Sequence, residues 1–457
     1  MIRLVAASRR FLLLTLPLLL LAVPAAAASR NILLVIADDY GIDVTTYYPQ
    51  ADRQTTTPPA PKTPNLAKLA KAGLLFRNAW AQPSCSPSRA TVFTGRYGFR
   101  TGIGKPVPDD VTQPEPILSP TEFTLPRAFA RTAVGRKYDL VHIGKWHLSR
   151  GIDDPRQFGW QYFSGPHPNL AHLPDYFAWP KVVNGVHSTS TVYATTDQVN
   201  DTIAAIGRAK RAGHPYFIWL ALSAPHSPYQ KPPNNLHTRD SLPATGAPRR
   251  AYYEAMIEAM DTEIGRLLKS VDLKTTTVIF MGDNGTPNEV IAKPYNWDHA
   301  KLRVYQQGVQ VPLLVAGAGV VNAGRQITGL VNSVDLYPTI LNLAGITMAT
   351  ILPPGTKVDG VSLMPYVANR ATAPVRATAY ADKFDLDEAT TFERTVRDTR
   401  FKLIERAPGL KWPQREFFDL AKDPYEKNNL LGGSLSVDQA TKLNFLDGEL
   451  DRLLATR

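Results

Sequence analysis

Two apolar runs set the frame of this chain. Asn31–Ala37 reads Asn-Ile-Leu-Leu-Val-Ile-Ala with no polar alternation, the pattern of a parallel strand covered on both faces, and it runs into Asp38 and Asp39. Residues 277–281 have the same character and run into Asp283, Asn284 and Gly285. Two buried strands that both end in acidic turns predict a site at the carboxyl edge of an open α/β sheet, where ligands of such folds bind. Apolar runs at 216–222 and 311–316 are expected in the same sheet. Between them Met256, Ile257, Met260, Ile264, Leu267 and Leu268 recur at helical spacing, which predicts a covering helix over 250–271. Pro- and Thr-rich stretches at 55–64 and 106–120 read as long irregular loops around a site.

The pattern changes near both ends. Arg3, Arg9 and Arg10 precede an apolar run over 11–23 and then Ala25 to Ala28, the layout of a cleavable export segment over 1–28. It predicts an exported protein, periplasmic or secreted, and no later segment is apolar enough to span a bilayer. Beyond about residue 366, strand-like stretches at 395–405 and 416–420 and a final helix over 437–454 predict a smaller α+β domain over 366–457 with an antiparallel sheet. It would follow a catalytic domain over 29–365. The expected fold class is thus α/β, a large mixed and mostly parallel sheet flanked by helices, with that smaller domain appended.

Composition narrows the function. Hydrophobic residues at 44% and charged residues at 20% exclude a disordered or fibrous chain. The formal charge of +11 becomes +8 once Arg3, Arg9 and Arg10 are removed, 11 minus 3, which suits an anionic substrate. Lys and Arg are spread along the chain without a basic tract, so nucleic acid is not an expected partner. Export with one cysteine leaves no internal disulfide, and Cys85 then stands out.

Residues 83–89 read Pro-Ser-Cys-Ser-Pro-Ser-Arg. Ser86 can cap a helix and Pro87 suits its first turn, so Cys85 is expected at a helix N-terminus, where the backbone favours developing negative charge. Arg89, one turn later, can point to the same anion. Asp38, Asp39, Asp283 and Asn284 offer only oxygen ligands, which suits a hard divalent cation.

With these residues in view, the chain resembles the formylglycine-dependent sulfatases of the alkaline phosphatase superfamily. Their signature is Cys-x-Pro-Ser-Arg followed by Thr-Gly, here Thr94-Gly95. Gly144-Lys145-Trp146-His147-Leu148, Pro225-His226, Lys301 ahead of Tyr305, Gly308, Val311 and Pro312, and Phe418-Asp419-Leu420 agree in order. The resemblance implies hydrolysis of sulfate esters. A maturation enzyme would oxidise Cys85 to formylglycine, whose hydrate attacks sulfur. Asp38, Asp39, Asp283 and Asn284 would hold Ca²⁺, and Lys145, Lys301 and Arg89 would stabilise the sulfuryl charge. His226, with Lys301, would assist the leaving alcohol, and His147 would take the proton that lets the covalent sulfate ester collapse.

The expected partner is a sulfated small molecule or a sulfated glycan. Gly95-Arg96-Tyr97 and Arg100-Thr101-Gly102 are similar to members acting on sulfated N-acetylgalactosamine and recur in arylsulfatases. Aromatic residues over 160–179 are candidates for a sugar cleft or for loop packing. Two departures stand out: Lys137-Tyr138 and Leu140 where Gly-Tyr and a later Ser or Thr are usual, and Gln306-Gln307-Gly308 in place of Glu-Gly-Gly. Alternative readings are a phosphate or phosphonate monoester hydrolase of the same superfamily, a non-catalytic binder of sulfated glycans, and a cysteine hydrolase, which would need a thiolate.

Overall fold

The computed structural model describes residues 31–49, 60–108, 116–150, 154–167, 169–170, 175–371 and 373–457. The export segment, and parts of the loops expected at 55–64 and 106–120, lie outside them. Ten strands form one mixed sheet in the order β10-β2-β9-β8-β1-β7-β3-β4-β5-β6. They are β1 (Asn31–Ala37), β2 (Gly73–Trp80), β3 (Asp139–Gly144), β4 (Tyr162–Gly165), β5 (Trp179–Val183), β6 (Val186–Ser190), β7 (Tyr216–Leu222), β8 (Thr276–Gly282), β9 (Leu313–Gly317) and β10 (Arg325–Asn332). The centre, β8-β1-β7-β3-β4, is parallel throughout, whereas β9 runs antiparallel to both β8 and β2.

The unbroken apolar run of β1 follows from its central place. Ile32, Leu34 and Ile36 enter one core, which holds the helices Cys85–Thr94 and Leu336–Leu343. Leu33, Val35 and Ala37 enter the other, against the helices Pro64–Lys71, Ala194–Ala212 and Arg249–Leu268. Each fully buried Leu, Ile or Val contributes about 1.5–3 kcal/mol, so a polar residue anywhere in β1 would forfeit packing on one face or the other. From β1 the chain goes to β2 on one flank and then to β3 on the other, so β1 lies where the strand order reverses. In open α/β sheets the ligand crevice opens there.

The helix predicted over 250–271 forms as Arg249–Leu268 and buries more than an apolar stripe, since Glu254, Glu258, Asp261 and Glu263 are buried too. Asp261 accepts from the backbone N–H groups of Asn65 (3.0 Å) and Leu66 (2.8 Å). It thereby caps the helix Pro64–Lys71, whose own N-cap Thr63 makes no side-chain cap.

In the C-terminal part, β11 (Ala379–Lys383), β12 (Glu393–Arg397), β13 (Phe401–Arg406) and β14 (Arg415–Asp419) form a four-stranded antiparallel sheet. The stretch expected as strand-like over 395–405 is thus a hairpin. Asp398 accepts from the N–H groups of Arg400 and Phe401 at the turn, which ends one strand and starts the next. The final helix, Val437–Leu454, has the expected bounds and a Ser436–Gln439 capping box.

Candidate active site

Four neighbouring parallel strands, β8, β1, β7 and β3, deliver their C-terminal ends to one edge, and the chain after each carries a candidate residue. Asp38 and Asp39 follow β1. The left-handed φ of Asp39 (65°) breaks strand alternation, and both carboxylates join Cys85 and His226 in a group whose potential ligand atoms all lie within 4.8 Å of one another. Cys85 is the first residue of its helix and 1% exposed. Ser84, not Ser86, is the N-cap: Ser86 is already helical and its Oγ accepts from the Val107 N–H (2.9 Å). Arg89, one turn on, donates to the Lys145 carbonyl (3.0 Å) and to Asp283 Oδ2 (2.9 Å).

Gly144 brings Lys145 in. At φ 94° it lies so close to β7 that a Cβ would stand 1.9 Å from the Ala221 carbonyl oxygen, so only glycine fits. Lys145 Nζ then reaches Asp38 Oδ2 at 2.5 Å. On the other flank Lys301 Nζ is 2.6 Å from Asp39 Oδ1. Asp38, Asp39 and Asp283 thus face Lys145, Lys301 and Arg89, three formal charges of each sign, all but excluded from water.

This packing sets the protonation states. Burial works against the Asp38 carboxylate, yet Lys145, His226, Arg89 and Lys301 together hold it well below the usual range. Asp283 is pushed up to about 7 by burial and by Asp38, against Arg89 and Lys145. Lys301 is raised despite burial because Asp39 lies beside it. Burial, with Asp38 and Asp283, pushes the Cys85 thiol up to about 11 against Lys145 and Lys301. A thiolate nucleophile is therefore disfavoured.

The two histidines differ in what holds them. His226 Nδ1 donates to the Ser227 carbonyl (2.8 Å), so Nε2, 3.6 Å from Asp39 Oδ2, is the nitrogen that gains or loses a proton. His147 Nε2 is fixed by the Val107 carbonyl (2.8 Å), which leaves a lone pair on Nδ1, buried and without a hydrogen-bond partner. Burial, then Lys145 and Arg89, lowers its basicity, so it is neutral and able to accept a proton. Asn169 Nδ2 lies 3.3 Å from the same Nε2.

The oxygens fit a hard cation. Asn284 Nδ2 donates to Asp39 Oδ1 (2.8 Å) and to the Gly285 carbonyl (2.9 Å), which fixes the amide and leaves its Oδ1 buried and unpartnered. Asp38 Oδ1 is also buried and unpartnered. Uncompensated buried oxygens cost about 1–3 kcal/mol each, a cost that a bound cation removes.

All ten expected site residues lie along this sheet edge. Others were not legible in sequence. Tyr253, which reads as a core position on its helix, donates its hydroxyl to the Asp39 carbonyl (2.8 Å) and fixes the strained turn. Val107 acts through its backbone, which no side-chain pattern reveals. The aromatic segment over 160–179 includes residues outside those described. Its two tryptophans are core: Trp160 stacks on Phe93 (centroids 5.7 Å apart) and Trp179 is 1% exposed. Arg96 is held by Glu122, and Arg100 by Asp359 and Thr456, so both anchor structure.

Known proteins resemble this chain in sequence and in fold. The sulfatase family matches residues 30–346, and the N-sulphoglucosamine sulphohydrolase C-terminal family matches 295–448. Human N-acetylgalactosamine-6-sulfatase is 30% identical over 73% of this chain and 65% of its own length, so the match spans just under two thirds of that relative. The ulvan-active sulfatase of Formosa agariphila is 26% identical over 87% of this chain and 77% of its own. Among solved structures, Ps i-CgsB superposes with a TM-score of 0.76 at 22% identity, covering 93% of this chain and 92% of that one. A structure in complex with its substrate, D-glucosamine-2-N,6-O-disulfate, superposes with a TM-score of 0.69 at 20% identity, covering 94% and 98%. At such identities the superpositions speak to the fold. The family match over most of the chain goes further: this protein belongs to the sulfatase family.

Proposed function

We propose that this chain is an exported sulfatase that hydrolyses sulfate esters, releasing inorganic sulfate through a formylglycine made from Cys85. The observation that carries the proposal is the buried placement of Cys85 at a helix N-terminus among Asp38, Asp39 and His226, with Lys145, Lys301 and Arg89 closing the site. Family membership and the names of the relatives favour a carbohydrate sulfate, and an aryl sulfate is the simplest surrogate. Under the same proposal, residues 1–28 direct export to the periplasm or outside, 29–365 form the catalytic unit, and 366–457 form the smaller one.

In this reading Asp38, Asp39, Asp283 and Asn284 hold Ca²⁺. When bound, it supplies Lewis-acid polarisation and charge stabilisation at the transferring sulfuryl group. Hydrated formylglycine supplies a hydroxyl nucleophile that the thiol form of Cys85 lacks. Lys145 and Lys301 bind sulfate oxygens, and Arg89 holds the Cys85 helix against Asp283 and the Lys145 backbone. His226, moving a proton at Nε2, assists departure of the alcohol. His147, already neutral with Nδ1 open, accepts the proton whose loss frees sulfate.

The test is the mass of the tryptic peptide that contains Cys85, from protein made in its own export route, followed by sulfate release from 4-nitrophenyl sulfate and sugar sulfates. Loss of about 18 Da, the difference between CH₂SH and CHO, together with sulfate release supports the proposal. An unmodified thiol with no sulfate release from any ester would sink it.

A further inference from the structure

The C-terminal sheet meets the catalytic edge at a recess of about 290 Å³, near the lower limit of small-molecule pockets. Two segments that carry catalytic contacts run into it. Lys105, on its wall, lies two residues before Val107, whose carbonyl fixes His147 and whose N–H donates to Ser86. Arg303, also on its wall, lies two residues after Lys301. Leu302, between them, donates its N–H to the carbonyl of Pro83 (2.7 Å), two residues before Cys85. Two residues span at most about 7 Å, so the recess adjoins the catalytic centre. The rest of the wall is C-terminal: Lys383 ends β11, and Lys411 and Trp412 stand on the loop between β13 and β14. Phe384 docks this wall, since its N–H donates to the Gly104 carbonyl (3.2 Å) and a Cβ on Gly104 would stand 2.4 Å from its ring.

Four cations, Lys105, Arg303, Lys383 and Lys411, line the recess against two carboxylates, Asp385 and Glu393. Asp385 pairs with Lys105 (2.7 Å). Glu393 is divided between Lys383 (3.0 Å), Arg303 (3.3 Å) and the buried Arg406 (3.1 Å), which also binds Glu416. Lys411 is exposed and, among the described residues, makes neither an ion pair nor a side-chain hydrogen bond, so it ties no other element in place. Its Nζ lies 5.3 Å from the centre of the Trp412 ring, and the Arg303 guanidinium lies 5.6 Å from the same centre. The ring thus gathers two like charges that would otherwise move apart. A surplus of two positive charges, four minus two, open to water beside the catalytic centre attracts an anion and repels a metal ion.

We propose that this recess is a subsite of the catalytic cleft for a second oxyanion, a sulfate or carboxylate carried by the sugar next to the one whose sulfate is cleaved. The proposal rests on the sulfate-ester reading given above. It adds that the substrate is a glycan of at least two sugars with an anionic group on each. Lys411 and Arg303 contact the second group, Lys105 and Lys383 strengthen the field around it, and Trp412 positions Lys411 and Arg303.

The experiment measures kcat/KM of enzyme from its own export route on 4-nitrophenyl sulfate and on three disaccharides. These share one galactose 6-sulfate and carry galactose, sulfated galactose or glucuronic acid as the second sugar. Should only the aryl ester turn over, the disaccharides are compared as its competitive inhibitors. Wild type is expected to prefer a second anion at least about tenfold, and the preference shrinks as salt rises from about 0.01 M to 1 M. It should fall about threefold in Lys411→Ala, vanish in Lys411→Ala/Arg303→Ala and survive in Lys411→Arg. The readout is a ratio between substrates, so damage to folding or to the catalytic centre, which lowers all of them alike, does not imitate this result. A wild type indifferent to the second anion overturns the proposal, and so does a preference that the double variant keeps. Calorimetric binding of inorganic sulfate that the double variant weakens, without any disaccharide preference, overturns it in favour of a site for a free anion. If no sulfate ester is hydrolysed, the sulfatase reading fails by itself, and calorimetry with the same disaccharides decides the recess. Tighter binding of the two-anion sugars that is lost in the double variant then upholds it, and binding indifferent to the second anion removes it.

Discussion

Replacing Lys145 by methionine removes the charge and keeps the stem. In the structure Nζ is 2.5 Å from Asp38 Oδ2, both groups are at most 1% exposed, and the remaining close cation is Arg89 at 3.6 Å. Breaking one half of a buried pair costs about 3–5 kcal/mol, so metal-free Lys145→Met should melt well below wild type, and added calcium should recover part of the loss. The catalytic effect is separable. A unit charge about 4 Å from another is worth roughly 4 kcal/mol at an effective dielectric of 20, of which only the part that grows toward the transition state affects kcat. About 3 kcal/mol corresponds to a fall in kcat of roughly 10²-fold, in line with loss of one preorganised donor from an oxyanion site. The assay is steady-state hydrolysis of 4-nitrophenyl sulfate in excess calcium, with Lys145→Arg as the charge-preserving control. A folded Lys145→Met enzyme whose kcat stays within about threefold of wild type would refute the assignment of Lys145 to the sulfuryl group.

Calcium at about a hundred times its dissociation constant should stabilise the protein by about 2.7 kcal/mol. At roughly 2.1 cal/mol/K of unfolding entropy per residue this is a rise of about 3 °C in melting temperature, and Asn284→Leu should abolish it. Asp382, pushed up to about 7 chiefly by burial, keeps its proton when folded over a range where the unfolded chain, at 3.8, has lost it. Its contribution to stability therefore falls as pH rises from about 4 to 7. Chemical denaturation across that range should show Asp382→Asn losing this slope, with up to about 4 kcal/mol regained above pH 7. A difference between the two proteins that does not change with pH would count against it. Asp261→Ala leaves the Asn65 and Leu66 N–H groups without their acceptor and should lower stability by about 1–2 kcal/mol, read from the urea midpoint at constant m.

What could be read in the sequence is what local chemistry dictates. The buried runs 31–37 and 216–222 became β1 and β7 with those bounds, because a strand covered on both faces has no freedom to be polar. Acidic residues at the ends of β1 and β8 located the site, because neighbouring parallel strands end at one edge. Less was visible where tertiary contacts override local signals. Ser86 has the chemistry of a cap, yet the helix begins two residues earlier than that cap implies, with Ser84 as the N-cap and Cys85 already helical. The hairpin over 393–406 looked like one strand because its turn, Asp398 to Arg400, is polar and short and lacks glycine or proline. Trp160 suggested a sugar cleft by composition, but the aromatic cluster around Phe93 claimed it. The tautomer of His147, set by a backbone carbonyl forty residues away, has no side-chain signature at all.

The central position of β1 bears on how the chain assembles. Its neighbour β8 is supplied about 244 residues later, as the Asp39–Asp283 contact records, and β7 about 185 residues later, as the Asn31–Tyr216 contact records. Any nascent or truncated chain that stops short of β8 leaves one side of an apolar strand unpaired, and such edges invite pairing with other molecules. Folding that waits on contacts this distant is slow. The reactive centre is therefore incomplete until β8 pairs with β1, because that pairing brings Asp283 and Asn284 to Asp38 and Asp39.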